Sequence, residues 1–135
     1  MSYFIIRYLC LFDIALKGMD ASDEAVMRSL RRSKIRVVVL MFIAHSFFRQ
    51  ASLKELQKGL NVCASNILGA IMGDGRRYKV DDSLIGMGLL ERAETHVGGY
   101  AIICYRLTEK GAHIADMLEK EPRINAILGE IREWP

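Results

Sequence analysis

Few side chains in this sequence pair a recognising or reactive chemistry with neighbours that could use it, and most of those fall between residues 52 and 79. Asn66 carries a carboxamide that can pair bidentately with the N6 and N7 edge of adenine. The same group can also cap or position a helix, and both roles stay open. Ser65 puts a hydroxyl near a predicted helix start, where free amides and the helix dipole favour a phosphate. Arg76, Arg77 and Lys79 follow shortly after. A basic loop there either meets phosphates or a groove edge, or forms a solvated turn balanced by Asp74, Asp81 and Asp82. Cys63 stands beside the same helix start, where it is a redox-sensing thiol if activated and an inert small residue if half-buried.

Other chemistries lack partners. His45, His96 and His113 are scattered, with no acid, histidine and nucleophile at a spacing that suggests a triad, so catalysis has no constellation to stand on. Gly73-Asp74-Gly75 follows a helical stretch and lacks both the preceding strand and the Gly-Lys-Ser/Thr ending of a phosphate loop. Cys10, Cys63 and Cys104 are odd in number, without a C-x-x-C pair or a histidine at ligand spacing. That argues against a disulfide framework and a zinc site, and for a reducing cytoplasm. The expectation is a protein that is not an enzyme and carries no cofactor or metal.

A net charge of +3 is mild, so any electrostatic footprint has to be local. The densest cluster is Arg28, Arg31, Arg32, Lys34 and Arg36, five cations within nine residues and no acid among them. It sits at the start of a stretch in which Ile35, Val38, Val39, Phe42 and Ile43 follow helical spacing, which predicts a first core helix over residues 33 to 48. Cations at that end oppose the helix dipole; a phosphate would relieve the opposition, and a solvated end would tolerate it.

The elements that must position these residues follow from local signals. With 135 residues, 51% of them apolar, the chain can bury one core without disulfides. Ser52-Leu53-Lys54-Glu55 fits a capping box and predicts a short helix from Leu53 to Leu60 with Leu53, Leu56 and Leu60 on one face. Gly59-Leu60-Asn61-Val62 reads as a turn between two helices. The next helix, Ala64 to Met72, is expected to bury Ile67, Leu68 and Ile71 and to turn Cys63, Ala64, Ser65, Asn66 and Gly69 outward. Such small side chains let a helix sit deep in a groove. Residues 80 to 87 are expected to form a further short helix. Leu89 to Thr95 and Tyr100 to Leu107 read as strands joined by His96-Val97-Gly98-Gly99. Thr108 is expected to cap the last regular helix, with Ile114, Ala115 and Leu118 inward and Pro122 breaking it.

The expected organisation is an apolar N-terminal helix and polar connector over residues 1–27, the domain proper over 28–121, and an apolar C-terminal helix over 122–135. Tyr3 to Leu16 is strongly apolar, but Arg7 and Asp13 interrupt it and it falls short of the roughly 20 residues a membrane span needs. Neither a basic n-region nor a small-x-small site marks a signal peptide. The segment is expected to pack on the domain or on a second subunit, unless translation starts later, at Met19 or Met27. Ile124, Ile127, Leu128 and Ile131, ending at Trp134, form a second apolar stripe. Together the two flanks predict a homodimer.

Four strings carry a family resemblance: Arg32-Ser33-Lys34-Ile35-Arg36-Val37, Ser65-Asn66-Ile67-Leu68-Gly69-Ala70, Gly88-Leu89-Leu90-Glu91 and Tyr105-Arg106-Leu107-Thr108-Glu109-Lys110-Gly111. They resemble winged helix-turn-helix transcriptional regulators, more narrowly a group of small archaeal-type regulators, over roughly residues 33 to 118. The resemblance implies an α+β, predominantly helical winged helix-turn-helix with flanking N- and C-terminal helices. It also implies the helix near Ser65 in a major groove and the wing beside the backbone. The candidate DNA-binding residues are then Arg32, Lys34, Arg36, Ser52, Ala64, Ser65, Asn66, Gly69, Arg76, Arg77, Lys79 and His96. The expected function is sequence-specific double-stranded DNA binding in transcription regulation, by repression through occlusion, in the cytoplasm and away from membranes. A different class stays open: a winged-helix protein-protein interaction module in a transcription or replication assembly. A ligand- or redox-responsive regulator is the third reading, and the sequence names no effector.

Overall fold

The run from Val37 to Ile43 has no polar face, so a helix built from it has to be enclosed on all sides. The computed structural model, which describes residues 21–75 and 80–122, encloses it with four other helices and a small sheet. The helices are α1 (Ala21–Arg31), α2 (Lys34–His45), α3 (Leu53–Leu60), α4 (Ala64–Met72) and α5 (Glu109–Glu119). The strands are β1 (Gln50–Ser52), β2 (Leu90–Val97) and β3 (Tyr100–Leu107). The architecture is α+β and mostly helical. The expected N-terminal helix, the basic residues Arg76, Arg77 and Lys79, and the C-terminal apolar stripe lie outside the described residues.

Ser33 starts α2 with its side chain accepting from the Arg36 amide, and every residue from Val37 to Ile43 is buried. Around it Leu30, Leu56, Ile67, Ile71, Leu84, Leu89, Ile114 and Leu118 are fully buried. Each such side chain contributes about 1.5–3 kcal/mol of burial, and together they form one continuous cluster from α1 to α5. Val26 and Met27 of α1 belong to it too, and α1 runs unbroken across the expected boundary at residue 28.

The expected continuation of α2 to Phe48 is not formed. Ser46 turns extended (φ −74°, ψ 157°) and its hydroxyl donates to the Phe42 carbonyl at 2.6 Å, closing the helix at His45. A short 3-10 turn, Phe47–Arg49, then leads into β1, a strand that the sequence did not announce. Its reason lies far along the chain: Gln50, Ala51 and Ser52 pair antiparallel with Arg106, Tyr105 and Cys104. The sheet order is β1-β3-β2, with β3 in the centre.

The β2–β3 hairpin is longer than expected because its turn is only two residues. Gly98 (φ 58°) and Gly99 (φ 82°) both take the left-handed backbone that suits the twist of a tight hairpin, and Val97 already pairs with Tyr100. His96 and Val97 are therefore strand residues, not turn residues. The expected helix over residues 80 to 87 is also corrected: that stretch is a chain of turns, in which Ser83 Oγ donates to the Val80 carbonyl at 2.6 Å and accepts from the Gly86 amide at 2.9 Å.

Thr108 does cap α5, accepting from the Gly111 amide at 2.9 Å while donating to the Gly88 carbonyl at 2.6 Å. Gly111 has no side chain for a reason: a Cβ there would stand 2.0 Å from the Leu89 carbonyl oxygen. The Leu107-Thr108-Glu109-Lys110-Gly111 string thus joins the start of α5 to the start of β2.

Candidate nucleic-acid interface

The helix pair α3–α4 is built by local chemistry. Ser52 Oγ accepts from the Glu55 amide at 3.2 Å, and Glu55 Oε1 accepts from the Ser52 amide at 3.4 Å, so both partners of the capping box are in place. At the other end Asn61 adopts φ 54°, ψ 46° and its amide donates to the Gln57 carbonyl at 2.9 Å. Asn is among the few non-glycine residues that visit this region readily, which makes it a suitable helix stop. Two residues later Cys63 takes the N-cap position of α4.

Cys63 and Ser65 are exposed, and Ala64 and Asn66 are half-buried, while Ile67, Ala70 and Ile71 close the inner face. The Cys63 thiol lies 3.4 Å from Ser65 Oγ. That hydroxyl first, and the Asn66 amide second, hold the thiol below the ordinary thiol range. Gly69, expected on the outward face, is buried. Packing of α4 on α2 and α3, with the 80–88 loop against its C-terminal end, confines its open polar face to the first turn.

That loop completes α4. The last carbonyls of a helix have no partner within it. Here the Leu84 amide donates to the Ala70 carbonyl at 3.0 Å and the Ile85 amide to the Ile71 carbonyl at 2.9 Å. The loop is in turn held by Arg36, whose Nη1 donates to the Asp82 carbonyl at 2.5 Å and to Ser29 Oγ at 3.1 Å. Ser29 Oγ itself donates to Asp82 Oδ1 at 3.3 Å.

The basic run does not form one solvent-facing patch. Arg36 is half-buried and directed to the loop, which removes it from the expected set of outward cations. Arg31 pairs with Glu121, and Arg28 faces Glu24 at 3.8 Å. Arg32 and Lys34 are exposed. Ser52 is half-buried and engaged in its cap, and His96 is exposed on β2 opposite Ala101. Lys54 and Lys58, exposed and four residues apart on α3, were not among the sequence candidates. Their i, i+4 spacing on a short helix was the available signal.

A family model described as EarA-like matches residues 26–118. An uncharacterized protein of Methanocaldococcus jannaschii is 33% identical over 99 residues, covering 73% of this chain and 86% of that protein. No solved structure matches.

Proposed function

The chain belongs to the EarA-like family, and within it we propose a sequence-specific double-stranded DNA-binding protein of winged helix-turn-helix type that regulates transcription. The observation that carries this reading is the α3–Asn61–α4 unit followed by the β2–β3 hairpin, with the first turn of α4 open to solvent. Cys63, Ala64 and Ser65 are small enough for that turn to approach a groove floor, with its amides toward a phosphate and Asn66 toward a base edge. Arg32, Lys34, Lys54 and Lys58 are the exposed cations that would meet backbone phosphates. Repression by occlusion needs nothing more than this binding, and it requires no cofactor or catalysis.

We place the protein in the cytoplasm as a homodimer reading a two-part site. Among the described residues no helix is long and apolar enough to cross a membrane. A protein-protein interaction module is the second reading, favoured by one observation: the first turn of α4 bears no Arg, Lys or Gln. Binding to genomic duplex fragments over a salt series separates the two. A DNA-binding protein should lose affinity with salt at a log-log slope of about −0.9 per phosphate neutralised. Undetectable binding at low salt would favour the protein-binding module.

A further inference from the structure

Strand β2 is the last of the sheet, whose order is β1-β3-β2, so one of its edges meets no strand among the described residues. A two-residue turn is closed by a hydrogen-bonded pair, here Val97 with Tyr100, and such pairs alternate along an antiparallel ladder. Val97, Thr95, Ala93 and Glu91 therefore direct their backbone groups to β3. Arg92, Glu94 and His96 direct theirs to the open side, and all three are exposed. The Leu90 amide lies on that side too, and it donates to the Leu84 carbonyl at 3.3 Å, so the 80–88 loop ends the open stretch. A row of unpaired backbone donors and acceptors is a template for another strand.

Charged side chains commonly guard such an edge, because an added strand would bring like charges together. On β2 the charges are ordered so that a second copy brings unlike ones together. Arg92 and Glu94 occupy successive outward-bonding positions on one face of the sheet, and neither has an ion-pair partner among the described residues. An antiparallel copy of β2 placed about a twofold axis at Ala93 sets Arg92 opposite the partner's Glu94 and Glu94 opposite the partner's Arg92. Both are hydrogen-bonded pairs, in which each residue exchanges its amide and carbonyl with the other. Ala93 then faces its own copy in the closer kind of pair, with Cα atoms about 4.5 Å apart, where a small side chain fits. Moving the axis one residue either way sets Arg92 against Arg92 or Glu94 against Glu94, which opposes pairing.

We propose that the open edge of β2 is the contact between two copies of the chain, paired antiparallel about Ala93 so that their three-stranded sheets join into one. The inference deepens the homodimer of the proposed function and rests on it. Charge order selects a second copy over an unrelated strand: read in the antiparallel direction, Arg92-Ala93-Glu94 is its own complement. A twofold contact requires one patch to serve as both partners, and this strand meets that requirement in backbone bonding and in charge together.

The test uses the full chain in sedimentation velocity at micromolar concentration, with far-ultraviolet circular dichroism as the check on folding. Arg92→Glu sets acids against acids across the contact, and Glu94→Arg sets bases against bases. The wild type should sediment at twice the chain mass and each of these variants at the single-chain mass. An equimolar mixture of the two should recover a dimer, since every pair across the axis is then of opposite sign, and the double exchange Arg92→Glu with Glu94→Arg should recover one alone. Glu94→Pro, which removes an outward amide that β3 does not use, should also give single chains with an unchanged dichroism spectrum. A wild-type dimer that survives in Arg92→Glu and in Glu94→Pro, or a mixture that stays monomeric, overturns the contact while leaving the twofold reading standing. A monomeric wild type overturns both. A dimer that behaves as expected but binds no duplex supports the contact and removes the DNA reading alone.

Discussion

The Leu84 amide donates to the Ala70 carbonyl at 3.0 Å, joining the loop over residues 80–88 to the end of the helix that carries Ser65 and Asn66. With the Ile85 amide on the Ile71 carbonyl, it supplies the partners that the last turn of α4 lacks. The loop therefore positions the candidate recognition helix from behind, and Arg36 holds the loop.

Replacing Arg36 tests that role. Arg36→Gln should lower stability by about 2 kcal/mol, since it removes charge-assisted bonds to the Asp82 carbonyl and Ser29 Oγ at a half-buried site. DNA affinity should fall with little change in salt slope, whereas Arg32→Ala should flatten the slope by about one phosphate equivalent. Denaturant unfolding and a salt series on both variants check this. A flattened slope for Arg36→Gln would make it a phosphate contact instead.

Gly111→Ala should destabilise far more than Thr108→Ala. Loss of the Thr108 cap costs about 1 kcal/mol, while a methyl at Gly111 collides with the Leu89 carbonyl and forces α5 away from β2. Comparing the two unfolding midpoints under one denaturant is sufficient, and equal midpoints would mean that α5 can shift freely.

Asn66→Ala and Arg76→Ala with Arg77→Ala should give different signatures. The first should cost on the order of 1–3 kcal/mol mainly at one preferred base, and the second should weaken binding to every sequence and flatten the salt slope. A selected motif unchanged by Asn66→Ala would make Asn66 structural.

Cys63 should react with an alkylating reagent at lower pH than an ordinary thiol, because its pKa is lowered first by the Ser65 hydroxyl and next by the Asn66 amide. A lowered pKa brings the thiolate in earlier as pH rises, so Ser65→Ala should move the midpoint of alkylation upward. Buried Cys104 should stay protected in the folded protein. Mass spectrometry of the Cys63 peptide across a pH series reads the shift directly.

What was legible in the sequence was what local chemistry decides. Ser52 with Glu55, the span Ala64 to Met72 and Thr108 each declare a helix boundary through groups a few residues apart, and the structure places these boundaries where they were expected. Strand β1 was not legible, since Gln50 becomes a strand residue only through Arg106, 56 positions away. The left-handed turn at Phe48 and Arg49 carries no glycine to announce it. Arg36 looked like one cation among five because its partners, Ser29 and Asp82, are brought to it by packing. Gly69 followed the outward spacing of Ser65 and Asn66 but lies under the neighbours that cover the later turns of α4.

The most direct test of the central claim is selection of bound sequences by the full chain from a random duplex pool. The account predicts enrichment of a two-part, palindromic motif whose half-sites lie about 10 base pairs apart, or a multiple of that, as twofold docking of two recognition helices requires. A pool with no enriched motif after repeated rounds at low salt would contradict it.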